Sequence, residues 1–302
     1  MSFGLALSGG GARGAAHVGV LMALREHGFW PDCMAGTSAG SIVAGCIASG
    51  VALEKLKKEV EYLSECGKWY LDPDYRGMIQ FIPQMLARKP ASLKGFLKGN
   101  RLERFLCEVT EGRRLEECPM GVLIPAVDLY SGKTVTYTNI KSPKPFPREV
   151  SGETVIWEES GMLCAIMMAS SSVPGVFCPR QLDGRLLVDG GVTNNLPVSL
   201  LAAAGVETII AVDVGGQSEM PGKYSILDIV SRSLEIRGES LEMCHAQGEI
   251  LTLHPRLPKS AGLLDFSSME ELMQIGYDDT VKQMASVRRA LSPKKFRKNE
   301  RF

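Results

Sequence analysis

The sequence predicts a three-layer α/β/α fold around a central, mostly parallel sheet, within a single domain of 302 residues. Three observations carry this expectation. Short apolar runs alternate with helical stretches from the first residues on. Two of those runs end in glycine-rich turns that open helices. No linker or internal repeat divides the chain. A strand, turn and helix repeated twice puts both turns at the carboxyl ends of neighbouring parallel strands, which is where open α/β sheets gather their ligands.

Phe3 to Leu7 reads as the first strand, followed by Ser8-Gly9-Gly10-Gly11-Ala12-Arg13-Gly14 and a helix from Ala15 to His27, with Val18, Leu21, Met22 and Leu24 at helical intervals. A short strand around Cys33 to Ala35 delivers Gly36-Thr37-Ser38-Ala39-Gly40. Small apolar residues from Gly40 to Gly50 then make a buried helix. An amphipathic helix spans Leu53 to about Ser64. Residues 66 to 100, with Trp69, Tyr75, Ile79 and Met85 among prolines and glycines, are either a cap over the site or ordinary packed helix-loop structure.

Leu102 to Val109 is a helix. Gly121 to Asp128 is a buried strand placed near an edge by its proline, and Ser131-Gly132 turns it into a second strand, Thr134 to Thr138. Residues 142 to 155, with Pro143, Pro145 and Pro147, read as loop. Met162 to Ala169 is a helix, and Leu186 to Val188 a strand ending at Asp189-Gly190-Gly191. Asn194, Asn195 and Pro197 precede a helix from Val198 to Ala204, and Thr208 to Val214 is a central strand. Helices at Leu227 to Cys244 and Glu270 to Leu291 flank a strand at Ile250 to His254. The expected plan is a core over about 3–215, a helical layer over about 216–292 and a basic tail over 293–302.

The 34 basic and 34 acidic residues cancel, so the charge balance does not point to nucleic acid. Eight cysteines are scattered without C-x-x-C spacing, which suggests neither a zinc site nor a disulfide framework and fits a reducing cytosol. The chain starts directly in strand and glycine loop, unlike a signal peptide, and no apolar run reaches 18 residues. A cytoplasmic protein, at most peripheral to the inner face of the membrane, is expected.

Gly9, Gly11 and Gly14 satisfy G-x-G-x-x-G after a strand, with Asp32 about twenty residues on, so a dinucleotide loop is one reading. Two features weigh against it. Asp32 precedes the second strand instead of ending it, and Arg13 stands inside the loop. The Walker A reading fails for lack of the lysine and hydroxyl pair. Gly36-Thr37-Ser38-Ala39-Gly40 between a strand and a helix has the form of a nucleophile elbow, which exposes the serine hydroxyl on a tight turn. A plain glycine-lined turn without chemistry is the alternative. If Ser38 is a nucleophile, the first glycine turn supplies amides for a developing oxyanion. For the base, His17, His27 and His245 sit on helices, and His254 ends a strand. Asp189, at a strand end and followed by two glycines, is the better candidate.

Gly-Gly-Gly-Ala-Arg-Gly at 9–14, Gly-Thr-Ser-Ala-Gly at 36–40, Ala169-Ser-Ser-Ser-Val-Pro174 and Asp189-Gly-Gly with Asn195 and Pro197 together resemble the patatin-like phospholipases, most closely the compact bacterial members. The similarity extends to Asp265-Phe266 and Gly276-Tyr277 and is weakest over 66–100. It implies a Ser38–Asp189 dyad and an oxyanion hole from the Gly10 and Gly11 turn with Ala12 and Arg13, Arg13 lying near a substrate phosphate or the oxyanion. Gly9, Gly14, Gly36, Gly40, Gly190 and Gly191 are motif positions. The implied activity is cleavage of acyl esters of phospholipids, lysophospholipids or related lipids through an acyl-enzyme, without metal or cofactor. A transacylase on the same dyad and a non-catalytic lipid-binding protein on the same fold are the alternatives. Met78 to Leu86 or Met162 to Met168 are the expected walls of an acyl groove, and the tail Pro293 to Phe302 is a candidate contact for anionic headgroups.

Overall fold

The structure, a computed structural model, describes residues 2–88, 93–142, 144–215 and 248–292, with 229–230, 232–233 and 236–237. Its strands, in chain order, are β1 (Gly4–Leu7), β2 (Cys33–Gly36), β3 (Gly95–Leu97), β4 (Gly121–Asp128), β5 (Thr134–Thr138), β6 (Glu149–Val150), β7 (Glu153–Glu158), β8 (Gly175–Phe177), β9 (Arg180–Leu182), β10 (Arg185–Asp189), β11 (Ile209–Val212) and β12 (Glu249–Leu253). The helices are α1 (Ala15–Glu26), α2 (Ala39–Ala48), α3 (Leu53–Cys66), α4 (Tyr75–Leu86), α5 (Asn100–Val109), α6 (Leu163–Ser170), α7 (Val198–Ala203), α8 (Met269–Lys282) and α9 (Met284–Leu291).

The main sheet runs β12-β11-β1-β2-β4-β5-β7-β6 and is mixed. From β12 to β4 every pairing is parallel. β5 and β10 then run antiparallel to β4. Successive side chains of a strand face opposite sides, and β1 shows the result. Leu5 and Leu7 join the core that holds Val18 and Leu21 of α1, Val43 of α2, Leu106 of α5 and Ile166 of α6. Ala6 faces the other way, toward Leu200 and Leu201 of α7. Helices therefore flank both faces. Each fully enclosed leucine contributes about 1.5–3 kcal/mol by leaving water, so the β1 side chains anchor both layers.

Three sequence expectations change. First, β4 is interior: it pairs with β2 through Leu123 and with β10 from Ala126 on, and Pro125 falls in the gap between these two partners. A residue without an N–H is tolerated there because no ladder bond is asked of it. Second, the proline-rich segment expected as loop over 142–155 contains β6 and the start of β7, and Val155 to Glu158 lie beside Thr134 to Tyr137 of β5. Third, Cys107 of α5 and Cys164 of α6 form a disulfide across 57 residues of sequence, where no bridge was expected. The packing of α5 on α6 creates that proximity, so spacing does not announce it.

Residues 66–100 resolve into a 3-10 turn (Gly67–Tyr70), α4 and β3, and β3 pairs in parallel with β8. Asp72 holds the following bend by accepting from the amides of Gly99 (2.7 Å) and Asn100 (3.1 Å). Leu71 and Leu97 pack against Val173 and Phe177, α4 stays largely exposed, and residues 89–92 lie outside the described residues. Most of the helix expected at Leu227 to Cys244, and the tail 293–302, lie outside the described residues. No helix among the described residues is long and apolar enough to cross a membrane.

Candidate active site

Both glycine turns stand at the carboxyl ends of β1 and β2, adjacent parallel strands. In the second turn Ser38 has φ 53° and ψ −122°, a conformation that side chains rarely adopt and that elbow serines take. The strain is held by close packing. A Cβ at Gly36 would strike the Gly40 carbonyl, and one at Gly40 would strike the carbonyls of Leu7 and Ser8. The Ser38 amide donates to the Ser170 hydroxyl at 3.1 Å, while Thr37 donates through its hydroxyl to the Asn194 carbonyl at 2.8 Å. Ser170 ends α6 and opens the serine run that follows it. The 190–197 segment is tied to the first turn as well, since the Gly9 amide donates to the Asn195 carbonyl at 3.1 Å.

Asp189 ends β10, where its own amide donates to the Ser172 carbonyl at 3.0 Å. Its Oδ1 accepts from the Gly191 amide at 2.7 Å, and the Ser38 side chain lies near enough to the carboxylate to favour its charged form. Ser38 is 7% exposed and Asp189 5%. Burial pushes the Asp189 pKa up from 3.8 to about 6, against the pull of the Gly191 hydrogen bond and of the nearby Ser38 side chain. A carboxylate in water is too weak a base for a serine hydroxyl. One poised near 6 is better matched to neutral pH.

Of the four residues expected at the oxyanion hole, two have amides already taken by backbone acceptors. The Ala12 amide already donates to the Leu263 carbonyl at 2.9 Å, and the Arg13 amide to Gly10 at 3.2 Å. No backbone acceptor takes the Gly10 or Gly11 amide among the described residues. Gly11 has φ +57°, and a side chain there would meet the Leu263 backbone. The Arg13 side chain is buried, with Nε 3.5 Å from the Gly10 carbonyl, and it lies outside the cavity beside Ser38. There it braces the turn.

That cavity, about 120 Å³ in volume, begins at Gly11 and Ser38 and extends between α2, α3 and α5. Ile42, Val43, Val60, Phe105 and Leu106 line it, together with Val173, Leu263 and Phe266. The walls expected from Met78 to Leu86 and from Met162 to Met168 are not among its lining residues. Met167 and Met168 are instead fully enclosed in the core. The true lining is drawn one or two residues at a time from positions 11 to 269, so no local stretch of sequence reveals it. Ser171, quoted only as part of a motif, also lines the cavity, and its buried hydroxyl has no hydrogen-bond partner among the described residues.

The competing readings place elsewhere. Asp32 accepts from the Phe3 amide at 2.8 Å, at the opposite end of the strands from the glycine turns, so it is a structural brace and no ribose acid. His254, the histidine at a strand end, pairs with Asp213 at 3.5 Å. His17 is sealed in the core, with Nε2 2.9 Å from the Ser8 carbonyl. No group of three metal-ligating side chains occurs among the described residues.

An uncharacterized NTE family protein of Mycobacterium tuberculosis is 30% identical over 219 residues, covering 72% of this chain and 51% of that protein. Lysophospholipase NTE1 of Saccharomyces cerevisiae is 28% identical over 303 residues, covering 92% of this chain and 16% of that protein. The chain thus spans about half of the mycobacterial relative and a small part of the yeast one. Among solved structures, VipD from Legionella pneumophila superposes with a TM-score of 0.46 at 16% identity, covering 94% of this chain and 67% of that one. Residues 5–202 match the family model for patatin-like phospholipases, and the chain belongs to that family.

Proposed function

We propose that the chain is a serine acyl hydrolase that cleaves acyl esters of phospholipids, lysophospholipids or related lipids with Ser38 and Asp189. The observation that carries the proposal is Ser38 on a strained elbow turn beside a buried, proton-hungry Asp189, bordering an apolar cavity. An acyl chain enters that cavity and leaves its ester carbonyl at Ser38. Asp189 takes the hydroxyl proton as Ser38 Oγ bonds to the carbonyl carbon, and the Gly10 and Gly11 amides receive the oxyanion. The proton passes to the leaving alcohol as the ester bond breaks. Water, deprotonated by Asp189, then attacks the acyl-serine, and the fatty acid departs as Ser38 recovers its proton. The family relationship supports the lipid substrate, and the cavity's apolar walls support an acyl chain within it.

Incubation with a fluorophosphonate, followed by peptide mapping, tests this. The adduct is expected on Ser38, and it is expected to be lost in Ser38→Ala and strongly slowed in Asp189→Asn. Labelling at another serine, or full ester hydrolysis by Ser38→Ala, overturns the assignment.

A further inference from the structure

The face of α4 that looks away from the protein is apolar. Tyr75, Ile79, Pro83 and Leu86 follow one another at intervals of four, four and three, which aligns them in a single stripe along the helix. Tyr75 is 66% exposed, Ile79 74% and Leu86 76%, and Met85 borders the stripe at 57%. A surface helix ordinarily turns such a stripe inward. Here the inward contact is made by Gly77, which is buried against Asp74 and Leu93.

The surroundings are basic. Residues 66–100 contain six lysines and arginines against two acids, in a chain whose 34 basic and 34 acidic residues balance overall. Both acids are engaged within the segment, Asp74 with Lys98 at 3.7 Å and Asp72 with the amides of Gly99 and Asn100. Lys68, Arg76, Arg88 and Lys94 stand exposed around the stripe. Trp69, 66% exposed, lies just before α4 under the guanidinium of Arg101, 4.4 Å away. The same segment borders the cavity: Leu71 and Leu97 pack with Val173, Phe177 and Leu263, three residues of its lining.

An exposed apolar stripe with a surplus of cations fits one surface well, the headgroup boundary of a bilayer containing anionic phospholipid. We propose that α4 is the docking helix for such a bilayer, with Ile79 and Leu86 entering the acyl boundary and Arg76, Arg88 and Lys94 meeting the headgroups. This rests on the reading of the chain as a lipid acyl hydrolase, since docking there brings the flank of the cavity to its substrate.

Flotation of the full chain with phosphatidylcholine vesicles, with and without phosphatidylserine, tests the proposal. The unaltered protein is expected to float with the phosphatidylserine vesicles and to be released by salt. Ile79→Asp with Leu86→Asp is expected to lower binding roughly tenfold or more, and Arg76→Glu with Lys94→Glu to lower it severalfold. Turnover of the soluble ester p-nitrophenyl butyrate and the circular dichroism spectrum should stay as in the unaltered protein for both. Unchanged flotation of the aspartate variant, or no flotation of the unaltered protein, overturns the proposal. So does a dimer of the unaltered protein that the aspartate variant converts to monomer, which would assign the stripe to a second copy. Ester turnover reports on Ser38 and flotation on α4, so failure of either reading is seen separately.

Discussion

The imidazole of His17, fully enclosed, donates through Nε2 to the carbonyl oxygen of Ser8 at 2.9 Å. A carbonyl only accepts, so Nε2 carries the proton, and a neutral ring leaves Nδ1 bare and without a partner among the described residues. Burial pushes the His17 pKa down to about 4. Unfolded, the ring titrates near 6.5, so the unfolded chain binds more protons between these values. The stabilisation is complete above pH 6.5 and is lost as pH falls toward 4, a change of about 3 kcal/mol. Urea unfolding of the unaltered protein and of His17→Gln across this range should show the acid-side loss in the former and a shallower one in the latter.

Asp189 titrates in the opposite sense. Folding raises its pKa from 3.8 to about 6, so the folded chain holds the extra proton. That stabilising contribution is complete below pH 3.8 and is lost as pH rises through 6, leaving a buried charge that costs about 3 kcal/mol at neutral pH. Asp189→Asn is therefore expected to raise Tm at pH 8 while ester hydrolysis falls about a thousandfold or more. In the unaltered protein kcat should drop about tenfold per pH unit below 6. A thermal melt and a pH–rate profile measure both.

Val60 of α3 lines the cavity well away from Ser38 in sequence and sits on the wall facing α5. Val60→Phe fills part of that space at an overpacking cost of about 1–3 kcal/mol. Hydrolysis of p-nitrophenyl palmitate should fall about tenfold or more, while hydrolysis of p-nitrophenyl butyrate stays near its original rate. Equal losses on both esters would place the acyl chain elsewhere.

The Cys107–Cys164 bridge closes a loop of 57 residues, and loop entropy assigns such a crosslink about 4 kcal/mol. Peptide mapping without reductant should recover the linked pair. The urea midpoint of the oxidised protein should lie above that of Cys107→Ala with Cys164→Ala, and dithiothreitol should remove most of the difference.

The parts of the site that could be read in the sequence are those encoded by contiguous residues. Gly36 to Gly40 must be small because Gly40 abuts the Leu7 and Ser8 carbonyls, and that crowding writes itself into five consecutive positions. Asp189 was legible for the same reason, as a strand end followed by glycines. The interior place of β4 was obscured because Pro125 sits in a gap between two partners that only the folded sheet creates. β7 was hidden behind three prolines that precede it. The cavity had no local signature at all, since Val18, Ile42, Val60 and Phe105 belong to four different helices that converge on it.

The hydrogen bond from the Ala12 amide to the Leu263 carbonyl, with Leu263, Leu264 and Phe266 walling the cavity, joins the beginning of the chain to a stretch some 60 residues beyond the family match at 202. A ribosome delivers β1, both glycine turns and Asp189 well before that stretch emerges. Until it does, Ala12 lacks its acceptor and the cavity lacks part of its wall. A fragment that stops at the family match would therefore keep β1, both glycine turns and Asp189 while losing the residues that close one side of that space.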